Sequence, residues 1–227
     1  MERGRPRRPR CAAPAAEAPL TRIHAGHESG GHGYGAAPPL FSLVSDILPV
    51  LPEDGPPLLA AGGVVNGRQI ASLLVLGVAG VVLGTRFLMT TESLYSDAQK
   101  QALVAAKSDM TVRTMAFDRA RGTLQWPTGV DGRGLYNSTV RDAESGEVDM
   151  VVVHEKFRQG VRSSDPDRML VWSGMGVGLI SEIKGARVSF LTVPTVHRLI
   201  VCRRSSRSFT TTFYSGSSLV QSSRDNR

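Results

Sequence analysis

Apolar positions along this chain gather into two short solid runs with a helical pattern between them, and that arrangement organises the middle of the sequence. Residues 58–61 (LLAA) and 80–83 (GVVL) are apolar without alternation, the pattern of strands covered on both faces of a parallel sheet. Between them Ile70, Leu73, Leu74 and Gly77 recur at helical spacing behind Asn66, a residue suited to a helix N-cap. Strand, helix and strand in series predict a βαβ crossover. Each strand runs out into small residues, Gly62-Gly63 and Gly84-Thr85, whose N–H groups lie at the edge where such units bind anions. For either turn alone, a tight connection without a ligand is an equal reading.

The same spacing rules extend outward. Leu40, Leu43, Val44, Ile47 and Leu48 form one face of a helix ended by Pro49. Over 96–108, Ala98, Ala102, Leu103 and Ala106 form an inner face with Lys100 and Lys107 outside, and Ser96 or Asp97 caps the start. Residues 111–117 alternate as a strand or extended cover segment, and 118–140 are rich in Gly, Asp and Asn, with Trp126-Pro127 as a packed bend. A short helix is expected over 151–159. An apolar piece over 169–184 is built on Gly174, Gly176 and Gly178, small residues that let backbone approach backbone or a ligand.

Charge changes the picture at the two ends. The net charge of +7 invites a nucleic-acid reading, but residues 1–22 carry six Arg and two Glu (+4) and 187–227 carry seven Arg and one Asp (+6), which leaves 23–186 at −3. A nucleic-acid partner is therefore not expected of the folded part. Residues 1–22 read as a disordered basic arm and 187–227 as an irregular basic tail, either an interaction tail or sequence foreign to the fold. The two cysteines, Cys11 and Cys202, lie in those ends and form no disulfide framework, so a reducing, cytoplasmic location is expected. The longest apolar run, 70–83, is too short to span a membrane.

Candidate chemistry sits in residues 24–39, HAGHESGGHGYGAAPP, where His24, His27 and His32 are separated by flexible glycines. Zinc needs rigid tetrahedral ligands, so no metal site is expected. One functional imidazole presented to a ligand fits better, as a side chain that exchanges protons near neutral pH.

GHESGGHG (26–33), AAGGV (60–64), GVVLGTRFLMTTES (80–93), DGRGLYN (131–137) and WSGMGVGLI (172–180), in this order, resemble the fungal-type nitronate monooxygenases, formerly 2-nitropropane dioxygenases. The resemblance covers about residues 25–185. It implies an α/β fold, the C-terminal part of an FMN-binding TIM (β/α)8 barrel: the last three βα units plus a C-terminal extension, over 23–186. About 250 residues are typical of such a barrel, and with no counterpart of the first five units a closed barrel is not expected. His32 matches the family's base, Gly30 and Gly31 its loop, and the cofactor phosphate would rest on Gly62-Gly63 and on Val82-Leu83-Gly84-Thr85. Ala25, Val82 and Met175 stand where the family pattern has Gln. The implied activity is FMN-dependent oxidation of alkyl nitronates or nitroalkanes by dioxygen to carbonyl compounds and nitrite. A flavin-dependent enoyl reductase using a nicotinamide donor, and a non-catalytic fragment, remain open alternatives.

Overall fold

The computed structural model describes residues 22–192, 201–205, 208–215 and 218–222. The expected βαβ unit is its centre. Strand β3 (Leu58–Ala61) leads through helix α2 (Gly67–Leu76) to β4 (Gly80–Val82), with β1 (Arg22–Ala25) on the other side, in a parallel sheet of order β1-β3-β4. β1 begins at Arg22, the last residue of the expected arm; the rest of that arm lies outside the described residues. Asn66 caps α2 in a reciprocal capping box with Gln69, and Gly77 ends the helix at φ 119°, a conformation that favours glycine.

Alternation along the strands separates two faces. Leu58, Ala60 and Val78 join Leu40 and Val44 of α1 (Leu40–Ile47) and Leu73 of α2 in a buried cluster on the helix side. The opposite face carries Ile23, 58% exposed, and Val82, 38% exposed. The strands expected to be covered on both faces are covered on one, because no further barrel elements close over the other among the described residues.

A second, antiparallel sheet was not expected. β2 (Gly31–Tyr34), β6 (Val130–Leu135) and β5 (Thr111–Thr114) pair in the order β2-β6-β5, so the histidine loop runs directly into a strand. Its sequence disguises it with glycines that the tertiary packing demands. A Cβ at Gly132 would lie 2.5 Å from the Trp172 ring, and one at Gly134 2.9 Å from the carbonyl oxygen of Val171. The alternation expected through Phe117 stops at Thr114: α5 (Ala116–Arg121) follows, with Phe117 buried against Val140 of α6 (Ser138–Ser145) and Val153 and Phe157 of α7 (Met150–Ser163).

A third cluster, around Val65, Met89 at the end of the short α3 (Thr85–Leu88), Leu103 and Val177, joins α4 (Asp97–Ala105) to the glycine-rich segment 172–180. Lys100, expected outside on α4, is buried, with Nζ donating to the Thr91 carbonyl oxygen at 3.4 Å. The tail expected to be irregular holds α8 (Ala186–Thr192) and an antiparallel meander of β7 (Val201–Ser205), β8 (Ser208–Ser215) and β9 (Ser218–Ser222). Its Thr- and aromatic-rich run at 210–214 suits a strand better than composition alone indicated.

Candidate functional site

At the carboxyl edge of the parallel sheet the register lines up Ala25, Ala61 and Val82 in one row. These three form the floor of a cleft of about 290 Å³, walled by the histidine loop, the two small-residue turns and Trp172. Of the nine residues singled out from the sequence, Gly30, Gly31, His32, Gly62, Gly63, Val82, Gly84 and Thr85 line this cleft. Leu83 does not: one position past Val82, its side chain falls on the other face and packs into the helix-side cluster. Ala25 also lines the cleft, and Met175 does not.

The loops at this edge are held by the glycine-rich segment. Glu28 accepts the Leu40 N–H on both carboxylate oxygens, at 2.9 and 3.1 Å, and so caps α1. Its carbonyl oxygen accepts the Met175 N–H at 3.0 Å, and Thr85 Oγ1 accepts the Gly174 N–H at 2.9 Å. A Cβ on Gly30 would lie 2.5 Å from Gly174 N, and one on Gly176 would run into the Gly63 carbonyl oxygen. Gly174 and Gly176 therefore serve backbone-to-backbone packing, and they fasten all three strand-end loops together.

The turn glycines differ among themselves. Gly62 (φ 112°) and Gly63 (φ 68°) sit in left-handed conformations, and a Cβ on Gly63 would lie 2.9 Å from Glu28 Cβ, so the fold needs them with or without a ligand. Gly84 has an ordinary φ of −99°, and a Cβ there would meet nothing within 4 Å. The amides of Gly63 and Gly84 find no acceptor among the described residues. Unpaired amides beside open space can receive an oxyanion. The Thr85 hydroxyl, although it accepts from Gly174, keeps its own proton to donate.

The three histidines diverge. His24 lies within β1. His27 Nε2 is 2.9 Å from NH2 of the buried Arg133, and a guanidinium can only donate, so this imidazole accepts at Nε2 and is committed to holding the loop. Burial pushes the Arg133 guanidinium below its ordinary value, as does the neighbouring Arg113. His32 lines the cleft, stacked on Trp126 (centroids 3.7 Å apart, planes at 18°) and edge-on to Trp172 at 4.8 Å.

His32 Nε2 lies 2.9 Å from Oδ2 of Asp118, which has no solvent exposure. The other oxygen, Oδ1, accepts from Arg121 NH2 at 2.9 Å, Thr123 Oγ1 at 2.8 Å and Trp126 Nε1 at 3.2 Å. Burial by itself would push the Asp118 carboxyl up; the hydrogen bonds from His32, Thr123 and Arg121 together bring it below the ordinary carboxylate value. Sequence reasoning missed this carboxylate. Its signal was local, since Asp118, Arg121, Thr123 and Trp126 all fall within DRARGTLQW, 118–126. Behind Trp172, Tyr95 accepts that residue's N–H at 2.9 Å, and burial pushes its phenol up to about 12.

The family profile for nitronate monooxygenase matches residues 21–188. A nitronate monooxygenase of Metarhizium robertsii, npaC, is 36% identical over 185 residues, covering 78% of this chain and 52% of its own. One from Neurospora crassa is 31% identical, covering 71% of this chain and 44% of its own. Among solved structures, FabK from Thermotoga maritima superposes with a TM-score of 0.60 at 28% identity, covering 75% of this chain and 52% of FabK. A nitroalkane oxidase from Streptomyces ansochromogenes superposes with a TM-score of 0.59 at 28% identity, covering 75% of this chain and 49% of the oxidase. The chain spans about half the length of the relatives it matches.

Proposed function

The chain belongs to the nitronate monooxygenase family, and from that premise we propose that it carries the phosphate-binding and proton-transfer part of an FMN-dependent enzyme that oxidises alkyl nitronates or nitroalkanes with dioxygen to carbonyl compounds and nitrite. The fold is the partial TIM barrel of that family, with three parallel strands and no closure among the described residues. The observation that carries the proposal is a single cleft lined by His32, both glycine turns and the Ala25-Ala61-Val82 row. The amides of Gly63 and Gly84 and the Thr85 hydroxyl would receive the FMN phosphate, with Gly84 leaving the room it needs. When bound, FMN supplies the redox chemistry between nitronate and dioxygen.

The chain's own residues position and deprotonate. Trp172 and the alanine row offer an apolar surface that suits a small alkyl group. His32, on the cleft wall, takes the proton from the carbon beside the nitro group, which leaves the nitronate. A preformed nitronate needs no such step. His32→Ala should therefore lower turnover of nitroethane on the order of a hundredfold and turnover of ethyl nitronate far less, read as nitrite release and oxygen uptake. Equal losses on both would remove His32 from the base role. The enoyl reductase reading, favoured by the likeness to FabK, calls instead for NAD(P)H oxidation by the flavin-loaded protein.

A further inference from the structure

His32 has two ring nitrogens, and only a nitrogen with a lone pair can take a proton. We infer that Asp118 is the positioning residue of this site: its carboxylate holds the imidazole proton on Nε2 and thereby makes Nδ1 the nitrogen that receives the substrate proton. The inference rests on the reading of His32 as the base.

The geometry leaves little latitude. Asp118 Oδ1 already takes three donors, from Arg121, Thr123 and Trp126, so Oδ2 is the oxygen left for His32. An ionised carboxylate only accepts, so the bond at 2.9 Å requires a proton on His32 Nε2. Trp126 completes the arrangement from both ends. Its ring lies flat against the imidazole at 3.7 Å while its indole N–H is tied to Asp118, which fixes the ring plane as well as the tautomer. In the step itself the C–H bond of the nitroalkane breaks, its electron pair stays on the carbon and nitro group as nitronate, and the proton forms a new N–H bond at Nδ1. The imidazolium then carries a positive charge facing a buried carboxylate, which stabilises it. Asp118 neither takes up nor releases a proton.

Asp118→Asn tests this by changing one atom. Three donors would hold the amide oxygen at the Oδ1 position and turn the NH2 group towards His32. The imidazole must then accept at Nε2 and carry its proton on Nδ1, where it cannot act as a base. For the flavin-loaded protein we expect kcat/KM for nitroethane to fall on the order of a hundredfold or more. Turnover of ethyl nitronate and the FMN dissociation constant, the latter read by flavin fluorescence, should each stay within about threefold, because neither needs the proton transfer. In ¹⁵N NMR, His32 should show its proton on Nε2 in the wild type and on Nδ1 in the variant. Equal loss on both substrates would overturn the inference, as would a wild-type proton on Nδ1. If the variant does not fold, the wild-type tautomer decides alone. A wild type with Nε2–H that turns over neither substrate would sink the proposed activity and leave the role of Asp118 in orienting the ring intact.

Discussion

At the scale of single residues, Gly84 separates a ligand-driven requirement from a packing one. Its φ is −99° and a Cβ would meet nothing within 4 Å, so Gly84→Ala should change stability by less than about 0.5 kcal/mol. If the space beside it receives the FMN phosphate, the same methyl group should weaken FMN binding on the order of tenfold, measured by fluorescence titration against the thermal melting curve. Unchanged FMN affinity would take the phosphate away from this turn. Gly63→Ala is the contrast, because φ 68° and the 2.9 Å approach to Glu28 Cβ should cost stability as well, about 1–2 kcal/mol for the left-handed backbone alone. The glycines look alike in sequence. Only their surroundings show which serve the fold and which leave room for something else.

At the scale of elements, the segment 172–180 carries the arrangement of the cleft although it adds no strand to the parallel sheet. Its backbone hydrogen bonds reach Glu28 in the histidine loop and Thr85 after β4, and Gly176 lies against Gly63. Gly176→Ala should therefore push apart the loops it fastens, lowering the melting temperature and FMN affinity together, unlike Gly84→Ala. A variant that melts lower but keeps full FMN affinity would show that the fastening is dispensable to the site. Such a role was half visible beforehand, since the small residues at 174, 176 and 178 signal close approach but do not name the partner. Helix α2 was legible from Asn66 and the apolar spacing behind it, whereas Gly77, expected on its inner face, lies past its end at φ 119° and stops it. β2 and β6 were not, because GHGY and VDGRGL have poor strand propensity and pair only when Trp172 and Val171 pack over Gly132 and Gly134.

At the scale of the whole molecule, two carboxylates tie distant parts together. Asp118 joins the helical part to the cleft. Asp142 accepts from Arg168 NH1 at 2.7 Å and Lys156 Nζ at 3.2 Å, joining α6 to α7 and the loop after it. Both carboxyls lie below their ordinary value in the folded chain, Asp142 through its Arg168 bond first, Asp118 through hydrogen bonds that outweigh its burial. A depressed folded value stabilises above the unfolded one, about 3.9, and that stability is lost as pH falls through the lower folded value. Melting temperature should thus hold level from about pH 7 to 5 and fall steeply below about pH 4. Asp142→Asn should flatten the acid fall; an identical acid limb in the variant would place the sensitive groups elsewhere. The open face with Ile23 and Val82 is the face over which no further barrel strand closes among the described residues.

What the chain's own order of residues determined is what short-range physics decides: the βαβ unit, the cap of α2, and the two turns whose amides face one edge. Register then brought Ala25, Ala61 and Val82 into a row, as alternation requires. Tertiary structure alone decided which imidazole is bound to a guanidinium and which to a carboxylate. His32 and Asp118 are 86 positions apart, and His27 and Arg133 are 106. A histidine's tautomer follows from the partner it meets, and over such separations the partner is chosen by how the β2-β6-β5 sheet meets α5 and the loop after β1 rather than by any spacing along the chain.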